Sequence, residues 1–489
     1  MSGRRADSAE TMTRTVAGNF LRFHQLFTFA IGFLLGFGWV VMTGTWIKGA
    51  GPGGAALAFL VGGLMLIPIA LCYVEVGSRY PHAGGEFVYA YSAFGVGAAF
   101  FTGWLLLLLF ISLTAFEIVA AAWIVTIIVP SWTGPGLYEV AGFPISLGML
   151  ILMVAGVLCV SWVNFRGSAS MAKAQDCTTY VLIALAVLII AGGFAGGETR
   201  HLVPLVSAPQ PGWAYYGVLG VFATTPIWYC GLNALPQALS ELDTKPSPAR
   251  LARLVVYILV GSALFYFLLI LSTGMAAPRE VLIKSEFATA TAAQWAYGMR
   301  AAAQMVLVAG LLGVVTTWNA AHYAAAQILF ALGRARLLPE AFSRKHPRYG
   351  SAYVGIVFVA IVGMLGALGG VSMIGIIVNA GVLIAATLFF ITCLSLFRLR
   401  GDDVGDPDHY RVPGYPWLPG LALAYAVCTI VFGLLVTWQA RLPGRIPAEW
   451  LVLAGWGALG MLLWWRGRAS REALGEDTRA RLIHGEELT

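Results

Sequence analysis

An all-α membrane protein with twelve spans is what this sequence predicts, and three observations carry the prediction. The composition is 59% hydrophobic and only 11% charged, with a mean hydropathy of +0.80, outside the range of soluble domains. The apolar residues gather into runs that reach the roughly 20 helical residues needed to cross the hydrocarbon. The positive charges are also sorted. With the N-terminus inside, 23 of the 30 Lys and Arg residues fall on inside segments, which supports an even number of spans and two cytoplasmic termini. Topology and anionic lipid then account for the net charge of +7, and no nucleic-acid partner is implied.

The elements follow in order. Residues 1–22 form a polar tail without the short apolar stretch and small-residue cleavage site of a removable signal, so the first helix directs insertion, in the plasma (inner) membrane. Helices are expected at 23–47, 53–76, 96–129, 143–163, 177–195, 214–239, 251–274, 302–333, 353–370, 372–397, 418–438 and 448–465, with a cytoplasmic tail over 466–489.

The first helix is long enough to span, yet Gly32, Gly36, Gly38 and Gly44 interrupt it. Glycine costs about 1 kcal/mol against alanine inside a helix, and an unpaired backbone group in lipid costs several more. A break here is expected near the middle, facing a cavity where something binds. Close helix packing is the alternative use of such glycines. A second interruption lies in Trp213–Glu241, where Pro226 removes a donor and Gly231, Asn233 and Pro236 follow. Helices 1 and 6 then head two five-helix halves, 23–195 and 213–397, that enter from opposite sides as an inverted repeat; 418–465 adds two helices.

Five stretches carry a family resemblance: GFGW at Gly36–Trp39 with AGPGG behind it; VEVGSRYPHAGGEFVYAYSAFG at Val74–Gly95; YCGLNALPQALSEL at Tyr229–Leu242; TTWNAAHYAAAQILFALGRARLLPEAF at Thr316–Phe342; and YRVPGYPWLP at Tyr410–Pro419. In this order and at these positions the chain resembles the amino acid–polyamine–organocation transporters, from Phe23 to the end of helix 12. The resemblance implies the leucine-transporter type of fold, five plus five inverted helices and two more, and an amino acid permease as the activity. Two places depart from it. Ser240–Glu241 stands where many members have two adjacent acids, and Thr178–Ile190 holds no lysine of the kind that replaces a sodium ion in some members.

Within this frame, Gly36, Phe37 and Gly38 are the candidates for binding a substrate carboxylate, because N–H groups at the start of the outer half-helix concentrate positive charge. Trp39 would wall the pocket. Freed carbonyls around Trp228, Tyr229, Cys230 and Gly231 could accept from an ammonium group, and an amide at Asn233 argues against a dicationic substrate. Glu117 lies 13 residues before Pro130, about 20 Å down a helix and so near the bilayer centre. An acid at that depth faces a cavity or a partner, and the reading is a proton-coupling or amine-binding group, the alternative a structural acid bonded to a neighbouring helix. Glu75, Lys173 and Glu241 are gating candidates, with Lys173 and Asp176 flanking the cytoplasmic mouth of helix 5 in solvated or gating pairs. His322 reads as a bonded core histidine. Seven scattered histidines and six cysteines without a CxxC spacing suggest no enzyme, metal or cofactor. The expected function is alternating-access transport of an amino acid or small amine, coupled to protons. A polyamine or organic amine exchanger or uniporter is the alternative, and a transporter-derived channel or sensor is one of another class.

Overall fold

The structure, a computed structural model, describes residues 22–82, 84–207, 214–239, 242, 246–401, 410–441 and 444–484. Eleven helices among the described residues are long and apolar enough to cross a bilayer. The first joins α1 (Phe23–Leu34) to the short α2 (Gly38–Val41), and α3 (Thr43–Arg79) follows. A connecting helix, α4 (Glu86–Phe94), leads to α5 (Val96–Ile128), α6 (Leu147–Phe165) and α7 (Ser168–Ala195). Next are α8 (Ala214–Trp228) and α9 (Gly231–Leu239), then α10 (Pro248–Ala276), a connecting α11 (Ala288–Tyr297) and α12 (Arg300–Arg334). Then come α13 (Tyr353–Ala367), α14 (Met373–Arg400), α15 (Trp417–Ala440) and α16 (Ala448–Arg466), and two short helices, α17 (Arg468–Ala473) and α18 (Glu476–Ile483). Leu158, Val187, Ile361 and Leu365 lie exposed on the outer faces, as lipid-facing side chains do. The chain is a multi-pass membrane protein.

Beyond the second helix, which starts at Thr43 instead of 53, three boundaries differ from the expected ones. The ninth expected helix is the 15-residue α13, about 22 Å long and short of the roughly 30 Å hydrocarbon; Gly370, at φ +62, turns the chain into α14. The fourth helix starts at Leu147 because Phe143–Ser146 is a strand, paired antiparallel with Gly136–Val140 across a turn at Ala141 and Gly142, both at positive φ. The fifth starts nine residues early, at Ser168, and so takes Lys173 and Asp176 into α7.

Near its start α3 kinks at Gly51 (φ +75). A side chain there would lie 2.7 Å from Leu205 O and 2.8 Å from Ser207 N. The glycine lets the 205–207 segment lie against the kink, where Gly53 N donates to Leu205 O and Ser207 N to Ala50 O. In the interior, α3 runs against α8 and α10, α12 against α5 and α7, and α1 sits among α7, α9, α10 and α12. The broken first helix is therefore central, walled by helices from early and late in the chain.

Candidate functional site

Both expected breaks are present. Helix 1 is open at Leu35, Gly36 and Phe37, and helix 6 at Tyr229 and Cys230. The second opening sits at the start of the expected Cys230–Asn233 stretch, because the chain is helical again from Gly231.

A helix that stops leaves its last carbonyls without donors, and at the end of α1 those carbonyls find side chains. Thr316 Oγ1 donates to Gly32 O at 2.9 Å, Thr317 Oγ1 to Phe33 O at 3.3 Å, and Tyr266 Oη to Leu34 O at 2.9 Å. Trp39 Nε1 donates to Leu35 O at 3.2 Å. The cost of the break is thus offset by α12 and α10 together with the outer half-helix. Glycine is required where these elements meet: a Cβ on Gly36 would lie 2.5 Å from Thr317 Oγ1 and 3.6 Å from Glu117 Oε1.

The openings share one cavity, lined by Gly36, Phe37, Gly38, Trp228, Cys230 and Glu117 of the expected residues. Phe33, Leu34, Leu113, Phe116, Ile227, Tyr266, Thr317, Ile377 and Val378 complete the wall. Two lining groups are buried without a hydrogen-bond partner, the acceptor Glu117 Oε2 and the donor Trp228 Nε1. Buried polar groups are normally paired, so an unpaired acceptor and an unpaired donor on one cavity are what a small polar ligand would satisfy. The indole of Trp228 lies over Gly38, where a Cβ would be 2.2 Å from its Cζ3, and its ring centroid is 5.3 Å from that of Trp46.

Four of the expected binding residues lie off this lining. Trp39 is fully buried edge-on to Phe265. Tyr229 donates to Phe59 O at 3.1 Å. Gly231 is a packing glycine, since a Cβ there would meet Leu34 Cγ at 3.1 Å and Ala30 O at 3.2 Å. Asn233 points away, donating to Tyr73 Oη at 3.0 Å and Glu86 Oε1 at 2.9 Å. Thr317 and Tyr266 are lining residues that sequence reasoning missed. The adjacent hydroxyls of Thr316 and Thr317, in the middle of an apolar helix, were the available signal.

Among the gating candidates, Glu75 is almost wholly buried. It meets Arg79 Nη2 at 3.2 Å and Arg400 Nε at 3.3 Å, and its Oε2 accepts from Val412 N at 2.6 Å. One carboxylate thereby ties the ends of α3 and α14 to the segment before α15. Asp176 does not pair with Lys173. It accepts from Gln25 Nε2 at 3.0 Å and from Thr28 Oγ1, and lies 3.7 Å from His24 Nε2, so it anchors the start of α1; Lys173 is exposed. Glu241 lies outside the described residues. On α7 the position facing Gly32 is filled by Gln175 and Thr179, whose side chains would each come within 2.5 Å of a Cβ there. His322 is buried with Nε2 3.2 Å from Ile356 O.

A family model described as amino acid permease matches residues 21–458. The chain is 26% identical over 474 residues to the methylthioribose transporter of Bacillus subtilis (strain 168), covering 94% of this chain and 95% of that one. It is 28% identical over 470 residues to the chloroplastic cationic amino acid transporter 7 of Arabidopsis thaliana, covering 93% and 75%. It is 24% identical over 444 residues to the branched-chain amino acid permease BcaP of Bacillus subtilis (strain 168), covering 87% and 90%.

Proposed function

The chain belongs to the amino acid permease family, and on that premise we propose that it is a secondary carrier whose substrate occupies the cavity between the two broken helices. The substrate is an amino acid or related small amine. Its carboxylate faces the backbone at Gly36–Gly38, where the outer half-helix begins, and its ammonium group faces the break in helix 6. The remaining wall is apolar, with Phe33, Phe116, Ile227, Ile377 and Val378 around the space, which favours a neutral, apolar side chain. The halves 23–195 and 213–397 rock about this site in alternating access, with both termini on the cytoplasmic side of the plasma membrane.

Glu117 is the proton-coupling group in this reading. The observation that carries it is the unpaired Oε2 of a buried acid on the cavity. Such a group costs free energy until a proton or a cationic substrate reaches it. The variant Glu117→Gln mimics the protonated form at nearly unchanged volume. In proteoliposomes it is expected to keep counterflow of labelled substrate at equal pH while losing accumulation driven by an imposed pH gradient. Accumulation retained by the variant would show that coupling lies elsewhere. Loss of counterflow as well would make Glu117 a substrate ligand and favour an amine exchanger or uniporter. A parent protein without counterflow would point to the channel or sensor class.

A further inference from the structure

A second acid is buried outside the cavity. Glu86 is the first residue of α4, outside the spans, and has no exposed surface. Its Oε1 accepts from Tyr73 Oη at 3.0 Å and from Asn233 Nδ2 at 2.9 Å. Its other oxygen, Oε2, is buried without a hydrogen-bond partner, and so is Asn233 Oδ1. These two acceptors belong to planar groups already joined along one side by a hydrogen bond. An amide and a protonated carboxyl pair as a closed ring with two hydrogen bonds, and here only the second bond lacks its proton. While Glu86 is ionised, both orphans are lone-pair oxygens and nothing joins them.

No charge nearby takes the proton's place among the described residues. The titratable neighbours of Glu86 are Tyr73 on α3 and Tyr89 on α4 itself. From α9 come two amides, Asn233 and, one turn on, Gln237, whose Oε1 accepts from Gly84 N at 3.0 Å. No described Lys, Arg or His pairs with the carboxylate. Burial pushes the Glu86 carboxyl up to about 7, against the lowering effect of the hydrogen bonds it accepts.

We propose that Glu86 and Asn233 form a proton-binding site separate from Glu117, in which one proton held between Glu86 Oε2 and Asn233 Oδ1 clasps the half-helix α9 to the connecting helix α4. The sign of the effect follows. Below about pH 7 the ring is closed and α9 is held at both Asn233 and Gln237; as pH rises through that value, Glu86 ionises and the first hold is halved. Because α9 starts next to Cys230 at the cavity, the clasp sets how freely the inner half of helix 6 leaves its place. Only the transport arm of the test rests on the carrier reading above.

The test uses the full chain in lipid vesicles and infrared difference spectra taken between about pH 5 and about pH 9. The carbonyl stretch of a protonated carboxylic acid is expected to fade as pH rises through about 7. It should be missing from Glu86→Gln and retained in Glu117→Gln. A Glu86→Gln spectrum that keeps every titrating carboxylic band overturns the proposal. Should that variant fail to fold, Asn233→Asp places two carboxyls on one proton, and its band is expected to persist to higher pH than in the parent; an unshifted band also overturns it. Counterflow at equal pH on both sides is the second readout. The parent's rate should change across pH 7 and that of Glu86→Gln should stay flat, whereas identical pH profiles count against the clasp.

Discussion

Gly38 offers a sharp test of the cavity, because the structure sets the size of the perturbation. An added Cβ would lie 2.2, 2.5 and 3.1 Å from Cζ3, Cε3 and Cη2 of Trp228. Carbon atoms in ordinary contact stand roughly 3.5–4.0 Å apart, so even Gly38→Ala requires the indole to move by more than about 1 Å. The ring is hemmed in by Trp46 on one side and has the cavity on the other, so it moves into the substrate's space. Overpacking of this kind costs about 1–3 kcal/mol. Expressed as lost affinity, that is roughly a 5- to 150-fold weaker Kd, and Gly38→Val should abolish binding. The control is Gly261→Ala on α10, where a Cβ meets nothing within 4 Å and stability should stay level or rise by up to about 1 kcal/mol. The assay is a substrate titration by thermal shift in detergent, with the ligand-free melting temperature showing that each variant is folded. Gly38→Ala binding substrate within twofold of the parent would refute the placement of Trp228 on the site.

Two further outcomes are expected. Thr317→Val removes the hydroxyl that donates to Phe33 O at 3.3 Å; leaving that carbonyl unpaired should cost about 1–3 kcal/mol, read as a lower melting temperature, and an unchanged value would remove Thr317 from the account of the break. Glu75→Ala takes away the carboxylate shared by Arg79, Arg400 and Val412 N; breaking a buried pair on one side costs about 3–5 kcal/mol, so the variant should melt well below the parent, with Glu75→Gln in between if the bond from Val412 N survives.

The fold was legible in the sequence where local chemistry decides it. The two breaks were visible because Gly36, Gly38, Pro226 and Gly231 act through their own backbones, and the depth of Glu117 follows from helical rise alone. What stayed hidden depends on partners far along the chain. Nothing in the local pattern says that Arg400 meets Glu75, or that Tyr266 donates to Leu34 O. Asn233 was read as a binding residue from its closeness to Gly231, but its position on α9 turns it to Glu86 on another element. A glycine near a break, such as Gly231, serves packing and unwinding equally well, and only the proximity of Ala30 and Leu34 decides. The hairpin at 136–146 was missed because its apolar residues merge with the start of α6, and its turn depends on positive φ at Ala141 and Gly142.

The three hydroxyl bonds that cap α1 also define a latch. Thr316 and Thr317 belong to α12 and Tyr266 to α10, so the carbonyl end of α1 is bonded to two helices far along the chain. For the inner half of helix 1 to swing away, Gly32, Phe33 and Leu34 must give up those donors. At about 1 kcal/mol net for each hydrogen bond, the released state lies about 3 kcal/mol higher, a population of roughly one in 150. A difference of that size is within reach of one ligand's differential affinity for the two states. Hydroxyl groups serve this purpose better than a fixed charge would, since a rotating O–H holds a carbonyl weakly enough to be released on every cycle of the proposed carrier.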